Sequence, residues 1–181
     1  NAVEGEVYAM SSLFTALVFW VILKWEDEAE EKHANRWLIL AAYLMGISIG
    51  VHLLNLLAIP AMVMVYYFRK YTFSTKGILY ASLVAVIILA VSLYGIIPWT
   101  FKVGSWFELL FVNSMGMSYN SGLIFYVILL IALSIFGIYF TYAKKKVLAF
   151  YIVTCTALML LGYGTYAMVL IRSNANPPMN Q

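Results

Sequence analysis

Long apolar runs recur along the whole chain, and this recurrence limits what the sequence can fold into. Of its 181 residues, 64% are hydrophobic and only 10% are charged, whereas soluble domains contain about 25% charged residues. A helix needs about 20 apolar residues to cross a bilayer. The sequence therefore predicts an all-α, multi-pass membrane protein and argues against a soluble domain with one anchor. The apolar segments cover residues 7–23, 37–51, 56–68, 78–99, 123–142 and 147–171.

The stretch 37–68 is long for one span and short for two, and the basic residues help to decide. Lysine and arginine concentrate in cytoplasmic loops. If the stretch is a hairpin that turns near VHLLN, nine of the eleven lysines and arginines share one side; as a single span it divides them five against six. We therefore predict a short helical hairpin, about six membrane segments and two non-cytoplasmic chain ends, with Lys32, Lys70 and Lys145 on the cytoplasmic side.

Two features within this hairpin bear on how it packs. Gly46 and Gly50 form a G-x-x-x-G spacing, which permits close contact between membrane helices, although ordinary helix glycines fit so short a motif equally well. Pro60 suits the start of the returning helix, where a missing N–H group costs little.

Two glutamates, Glu4 and Glu6, stand just ahead of the first apolar run. On the predicted topology they lie on the outer side, where charged residues are few. The pair could share a divalent cation, orient a polar acceptor or assist a proton transfer. Alternatively, the two carboxylates complement the positive N-terminus of the first helix in headgroup water. We expect Glu6 to matter more than Glu4, because Glu4 lies farther from the expected start of the helix.

Other polar residues are expected on the same side. His52 and Asn55 occur at the hairpin tip, where they either satisfy the backbone of the turn or face a site. Arg172 ends the last apolar run, as a snorkelling cation or as a bidentate ligand of phosphate. The connector 99–120 carries Glu108, and we expect it to lie at the membrane interface as a loop or as an interfacial helix.

Four stretches together carry a family resemblance: EGEVYAMSSLF, RWLILAAYLMGISIGVHLLNLLAIPA, WFELLFVNSMGMSYNSG and YAMVLIRSNANPPM. They resemble a bacterial family of large membrane glycosyltransferases with the GT-C fold, whose vertebrate relatives are endoplasmic-reticulum protein O-mannosyltransferases. The resemblance covers essentially all 181 residues. It implies transfer of a sugar from a polyprenyl-phosphate carrier to an acceptor, such as a protein hydroxyl or a glycan, on the outer face of a bacterial inner membrane.

The resemblance also implies roles for particular residues. The sequence EGE is similar to the second acidic motif of such enzymes, so Glu4 and Glu6 become candidate catalytic residues or, if a divalent metal is used, its ligands. No cofactor is otherwise implied. Candidate substrate-binding residues are Arg172, His52, Asn55, Glu108 and Asn174.

The family pattern departs from this chain in one respect. The family's first spans and main acidic outer loop would precede Asn1, and a soluble region would follow the end of this sequence. We therefore expect residues 1–181 to be a single transmembrane region within a longer enzyme. A transporter, or a lipid-handling or scaffold protein without transfer chemistry, is the alternative. The expected partners are the bilayer, the lipid-linked donor and the acceptor, and not nucleic acid.

Overall fold

The computed structural model describes the backbone of residues 2–167, together with their side chains except at positions 2–4, 6 and 7. Every regular element within this range is helical, which confirms the predicted all-α fold. Five helical segments in that range are long and apolar enough to cross a membrane, and one further apolar helix, Asn35–Val51, is shorter, in line with the prediction of about six membrane segments. The α-helices are α1 (Ala2–Asp27), α2 (Asn35–Val51), α3 (Ala58–Lys70), α4 (Thr75–Ala90), α5 (Ile97–Leu109), α6 (Ser121–Ala143) and α7 (Val147–Gly164).

The contacts divide the described residues into two compact units, one formed by residues 2–86 with 155–167 and the other by residues 87–154. In the first unit, α2 and α3 form the predicted hairpin, with a 3₁₀ turn at Leu53–Leu57 between them. Both open ends of the hairpin return to the end of α1. At the start of α2, Arg36 pairs with Glu28, and at the end of α3, Lys70 donates to the carbonyl oxygen of Ala29. The hairpin interpretation is confirmed, and the single-span alternative is wrong.

Glycines bring α2 and α7 into backbone contact within the first unit. A Cβ atom on Gly46 would overlap the carbonyl oxygen of Met159, and one on Gly162 would overlap the carbonyl oxygen of Tyr43. Gly50 lies one turn further along, where a Cβ atom would be 3.4 Å from the Tyr166 side chain. The close contact predicted from the G-x-x-x-G spacing is therefore confirmed, and α7 is the helix that it contacts.

The chain from Thr75 to Ser114 is one continuous helical run of 40 residues, in which two π-helical segments, Val91–Ile96 and Leu110–Ser114, flank α5. The loop alternative for the start of the connector 99–120 is wrong, because helix continues through Ser114. Pro98 does not end the run. Its ring would normally collide with the carbonyl of the residue four positions earlier, but that residue lies in the first π-helical segment, where the backbone is wider.

Candidate functional site

One face of α1 changes from polar to apolar along its length. Tyr8, Ser11, Thr15, Val18 and Ile22 recur every three or four residues and therefore share a helical face, which we call the α1 stripe. Val18 and Ile22 are 1% exposed and form its apolar half. Their polar neighbours lie toward the N-terminus of the helix, beside the tip of the α2–α3 hairpin.

Asn55 connects this polar half to the hairpin tip. Its side chain is buried, at 5% exposure, and its Oδ1 atom accepts hydrogen bonds from Ser11 Oγ at 2.6 Å and Thr15 Oγ1 at 3.1 Å. Its Nδ2 atom donates to the carbonyl oxygen of Ser48 at 3.3 Å. A buried amide without partners costs about 1–3 kcal/mol, so these bonds fix the hairpin tip against α1.

His52 lies at the junction of α2 and the 3₁₀ turn. Its Nδ1 atom accepts a hydrogen bond from the backbone N–H of Leu54 at 3.2 Å, which places the proton of a neutral imidazole on Nε2. The imidazole centroid is 5.9 Å from that of the Tyr8 ring. The histidine thus caps the turn through one nitrogen and presents the other as a donor.

Glu4 and Glu6 lie inside α1, because the helix begins at Ala2. The prediction that both precede the helix is therefore wrong, and with it goes the reason for ranking Glu6 above Glu4. Their side chains are outside the described residues. The helical register nevertheless separates the two positions: position 4 falls on the α1 stripe with Tyr8, whereas position 6 is rotated by about 200° from it.

Glu108 is placed in the second unit, where it caps α6. Its two carboxylate oxygens accept hydrogen bonds from the backbone N–H groups of Asn120 at 2.6 Å and Leu123 at 2.9 Å. A carboxylate at a helix N-terminus satisfies amides that have no partner within the helix. Sequence reasoning placed Glu108 on the outer side but did not find this cap. Six residues earlier in the chain, the Lys102 ammonium lies 4.9 Å from the Trp99 ring centroid.

The opposite end of the α2–α3 hairpin holds charges instead of neutral groups. Glu28 accepts hydrogen bonds from the Trp37 indole N–H at 2.8 Å and from Arg36 at 2.9 Å. These contacts, the indole bond foremost, hold the pKa of the Glu28 carboxyl below its ordinary value. Arg69 and Lys70 both pair with the carboxylate of Glu30.

Two predicted site residues have no described position. Arg172 and Asn174 are outside the described residues. Among the side chains that are described, no group of three or more His, Cys, Asp or Glu residues is placed to hold a metal ion. The contacts of Ser11 and Thr15 were missed by sequence reasoning. The available signal was two hydroxyl residues four positions apart in an apolar run, a spacing that places both on one helical face.

Comparison with known proteins adds one finding. Residues 1–75 match a family described as the N-terminal domain of the protein O-mannosyl-transferase TMEM260. The matched stretch contains α1, the hairpin and the polar contacts between them. No curated protein and no solved structure matches the chain. Its first 75 residues are thus similar to a domain of a glycosyltransferase family.

Proposed function

We propose that the protein is a membrane glycosyltransferase that moves a sugar from a polyprenyl-phosphate carrier to an acceptor hydroxyl, on a protein or a glycan, at the non-cytoplasmic face. One observation carries the proposal: the similarity to a protein O-mannosyltransferase domain covers the residues that form the polar contact between α1 and the hairpin tip. We propose a GT-C fold and a bacterial inner-membrane location on the family resemblance alone.

In this proposal, the polar end of the first unit positions the acceptor. Asn55 is a positioning residue, because its amide already bonds to Ser11, Thr15 and the Ser48 carbonyl. The Nε2–H group of His52 and the Tyr8 hydroxyl are the groups available to contact a sugar or an acceptor. Glu108, in the second unit, already caps α6 through both oxygens, so its role in substrate binding stays a prediction.

The proposed reaction is an inverting displacement at the anomeric carbon. The acceptor oxygen forms a bond to this carbon while the bond from the carbon to the carrier phosphate breaks, and the hydroxyl proton passes to a carboxylate. We propose Glu4 as the base that accepts this proton, because position 4 lies on the same face of α1 as Tyr8, Ser11 and Thr15. Position 6 lies on the opposite side of α1 from this stripe, so we propose only an indirect role in substrate positioning for Glu6. Arg172, with Asn174, would hold the departing phosphate, whose geometry a guanidinium matches.

No step in this proposal uses a metal ion. Asn55 Oδ1, the obvious neutral oxygen ligand near the hairpin tip, already accepts two hydroxyl hydrogen bonds.

Transfer assays with glutamate variants test the proposal. Because residues 1–181 are expected to be part of a longer enzyme, membranes containing the full-length enzyme are incubated with radiolabelled polyprenyl-phosphate mannose, and label in acid-insoluble protein is counted. We expect Glu4→Gln to lower transfer by at least about 100-fold, the lower end of the range for a positioned acid or base. Glu6→Gln should lower it less, and Glu31→Gln, in the exposed loop after α1, is the matched control and should leave transfer unchanged.

Two results would contradict the proposal. If membranes with the full-length wild-type enzyme transfer no more label than membranes without it, the assigned activity is wrong. If transfer occurs but Glu4→Gln is fully active at normal expression, the glutamates are helix-end charges and the site lies elsewhere.

A further inference from the structure

An apolar groove of about 390 Å³ lies between α6 and α7 in the second unit. Ile135, Ile138, Tyr139 and Tyr142 line it from α6, and Phe150 lines it from α7. The four α6 residues are three or four positions apart, so they form one face of the helix. The Tyr142 and Phe150 rings close one end, with centroids 6.0 Å apart. The groove therefore follows α6 over about 10 Å.

Three consecutive lysines adjoin the closed end of this groove. Lys144, Lys145 and Lys146 connect α6 to α7, and all three are exposed. Within residues 2–167, none of them takes part in an ion pair. They also stand directly before the N-terminus of α7, whose backbone dipoles add partial positive charge. Apolar surface and uncompensated positive charge thus meet within one turn of helix.

The turn that contains these three lysines has one residue in an unfavourable backbone conformation. The N–H groups of Lys144, Lys145 and Lys146 donate to the carbonyls of the last turn of α6, those of Phe140, Tyr142 and Thr141 respectively. Lys145 has a φ of 52°, in the left-handed region where glycine or asparagine is favoured at the end of a helix. Backbone geometry would favour glycine or asparagine at this position, so the turn itself does not explain the lysine.

We propose that this groove and the lysine turn bind an anionic phospholipid, with its phosphate on Lys144, Lys145 and Lys146 and one acyl chain along the α6 face. Charge complementarity selects the headgroup, because lysines near a membrane surface attract anionic lipids. The groove selects a molecule with a hydrocarbon chain over a soluble anion, since its exposed aliphatic and aromatic side chains gain nothing from inorganic phosphate. On the predicted topology this lipid lies in the cytoplasmic leaflet.

Photo-crosslinking in vesicles tests the proposal. The full chain is reconstituted into phosphatidylcholine vesicles that contain a trace of phosphatidylglycerol with a diazirine in its acyl chain, and labelled peptides are identified by mass spectrometry. We expect labelling within 135–142 and at Phe150. Unlabelled phosphatidylglycerol should compete at least about 10-fold better than added phosphatidylcholine.

Charge variants test the headgroup contact. Changing Lys144, Lys145 and Lys146 together to Gln should weaken competition by phosphatidylglycerol roughly 10- to 100-fold. Lys24, Lys32 and Lys76 changed together to Gln remove the same charge elsewhere and should change competition less than about 3-fold. Lys145→Gly separates an effect on folding from an effect on binding. Glycine adopts the left-handed backbone conformation without strain, so the thermal stability should rise. The variant also loses one positive charge, so its affinity for the lipid should fall.

A groove-filling variant tests the acyl chain. Ile138→Trp should reduce labelling of 135–142, whereas Ile128→Trp, at an exposed position on the same helix outside the groove, should not. If Ile138→Trp does not fold, Ile138→Ala is used in its place. In this variant the crosslinked positions should shift along α6. Equal competition by phosphatidylcholine, an unaffected triple-lysine variant or a groove variant with unchanged labelling would each overturn the proposal.

Discussion

The two ends of the α2–α3 hairpin are held against α1 by different chemistry. At the charged end, the ion pairs of Glu28 and Glu30 lie at the surface, and the Glu30 side chain is 72% exposed. Exposed ion pairs of this kind contribute little to stability, because water and salt screen them. At the neutral end, the buried Asn55 amide bonds to Ser11 and Thr15. The charged end thus marks which end of the hairpin stays in water, whereas the neutral end fixes how the helices meet.

The largest expected effect comes from the glycine contact that supports the neutral half of the hairpin. Gly46→Ala places a Cβ atom on the backbone of Met159, and a backbone obstacle cannot change rotamer. We expect a loss of about 2–3 kcal/mol in the free energy of unfolding, the upper part of the usual cost of overpacking. Titration with SDS in mixed micelles measures it.

The matched control for this change is Gly164→Ala on α7. No atom lies within 4 Å of a Cβ atom built there, so this variant should be as stable as the wild type or slightly more stable, because alanine favours helix over glycine. Equal losses in the two variants would show that flexibility, and not close approach, explains the effect at Gly46.

An intermediate effect is expected from the two asparagines at opposite ends of the hairpin. Asn55→Leu removes three hydrogen bonds and leaves the hydroxyls of Ser11 and Thr15 without their acceptor. We expect a cost of about 1–2 kcal/mol, since hydrogen bonds between membrane helices average about 0.6 kcal/mol each. Asn35→Leu at the charged end removes one long, 3.4 Å hydrogen bond from the buried Trp25 indole and should cost about 1 kcal/mol, the low end for a buried donor that loses its partner.

A double-mutant cycle makes this comparison specific. Ser11→Ala should lose most of its effect when Asn55 is already leucine, because both changes remove the same bond. Additive losses for Ser11→Ala and Asn55→Leu would mean that the two residues stabilise the protein independently, and that the neutral end is not a connected network.

The smallest expected effect is the pH dependence at the charged end. Contacts with Trp37 and Arg36 lower the pKa of Glu28 from its ordinary value of 4.5, so the carboxylate stabilises the folded state above that pH. This contribution is lost as the pH falls through the lowered pKa of the folded state. The stability difference between wild type and Glu28→Gln should therefore be present at pH 7 and small at about pH 3, measured by thermal unfolding. A difference that grows on acidification would contradict this sign.

Much of the fold follows from hydropathy and charge, because the length of an apolar run and the positions of Lys and Arg can be read directly from the sequence. Span length set the number of membrane segments, and the one-sided distribution of Lys and Arg separated a hairpin from a single span. The 40-residue helical run was not predicted. Trp99, Lys102 and Glu108 indicated a connector at the membrane interface, yet only a π-helical segment before Pro98 allows the helix to continue there. Such a local widening of the backbone has no clear sequence pattern.

The candidate site was less predictable than the fold. His52 and Asn55 could be placed at the hairpin tip, since the tip follows from the charge distribution. The partners of Asn55 could not be identified, because they depend on how α1 is rotated about its own axis, and an almost uniformly apolar helix does not reveal that rotation. The start of α1 was also misplaced, because Glu4 and Glu6 mark where hydrocarbon ends and not where helix begins. Their predicted roles stay predictions.

In the α1 stripe, the number of residues between the polar and the apolar half decides which way the polar side chains face. Each residue inserted between Thr15 and Val18 would turn Ser11, Tyr8 and position 4 by about 100° relative to the buried half of the helix, and every polar group would leave the hairpin tip together. An insertion of four residues would nearly restore the direction, but it would lift the same groups by about 6 Å along the axis. Related sequences that share the site should therefore vary freely in the residues that face lipid, yet contain no insertions or deletions between the polar and apolar halves of α1.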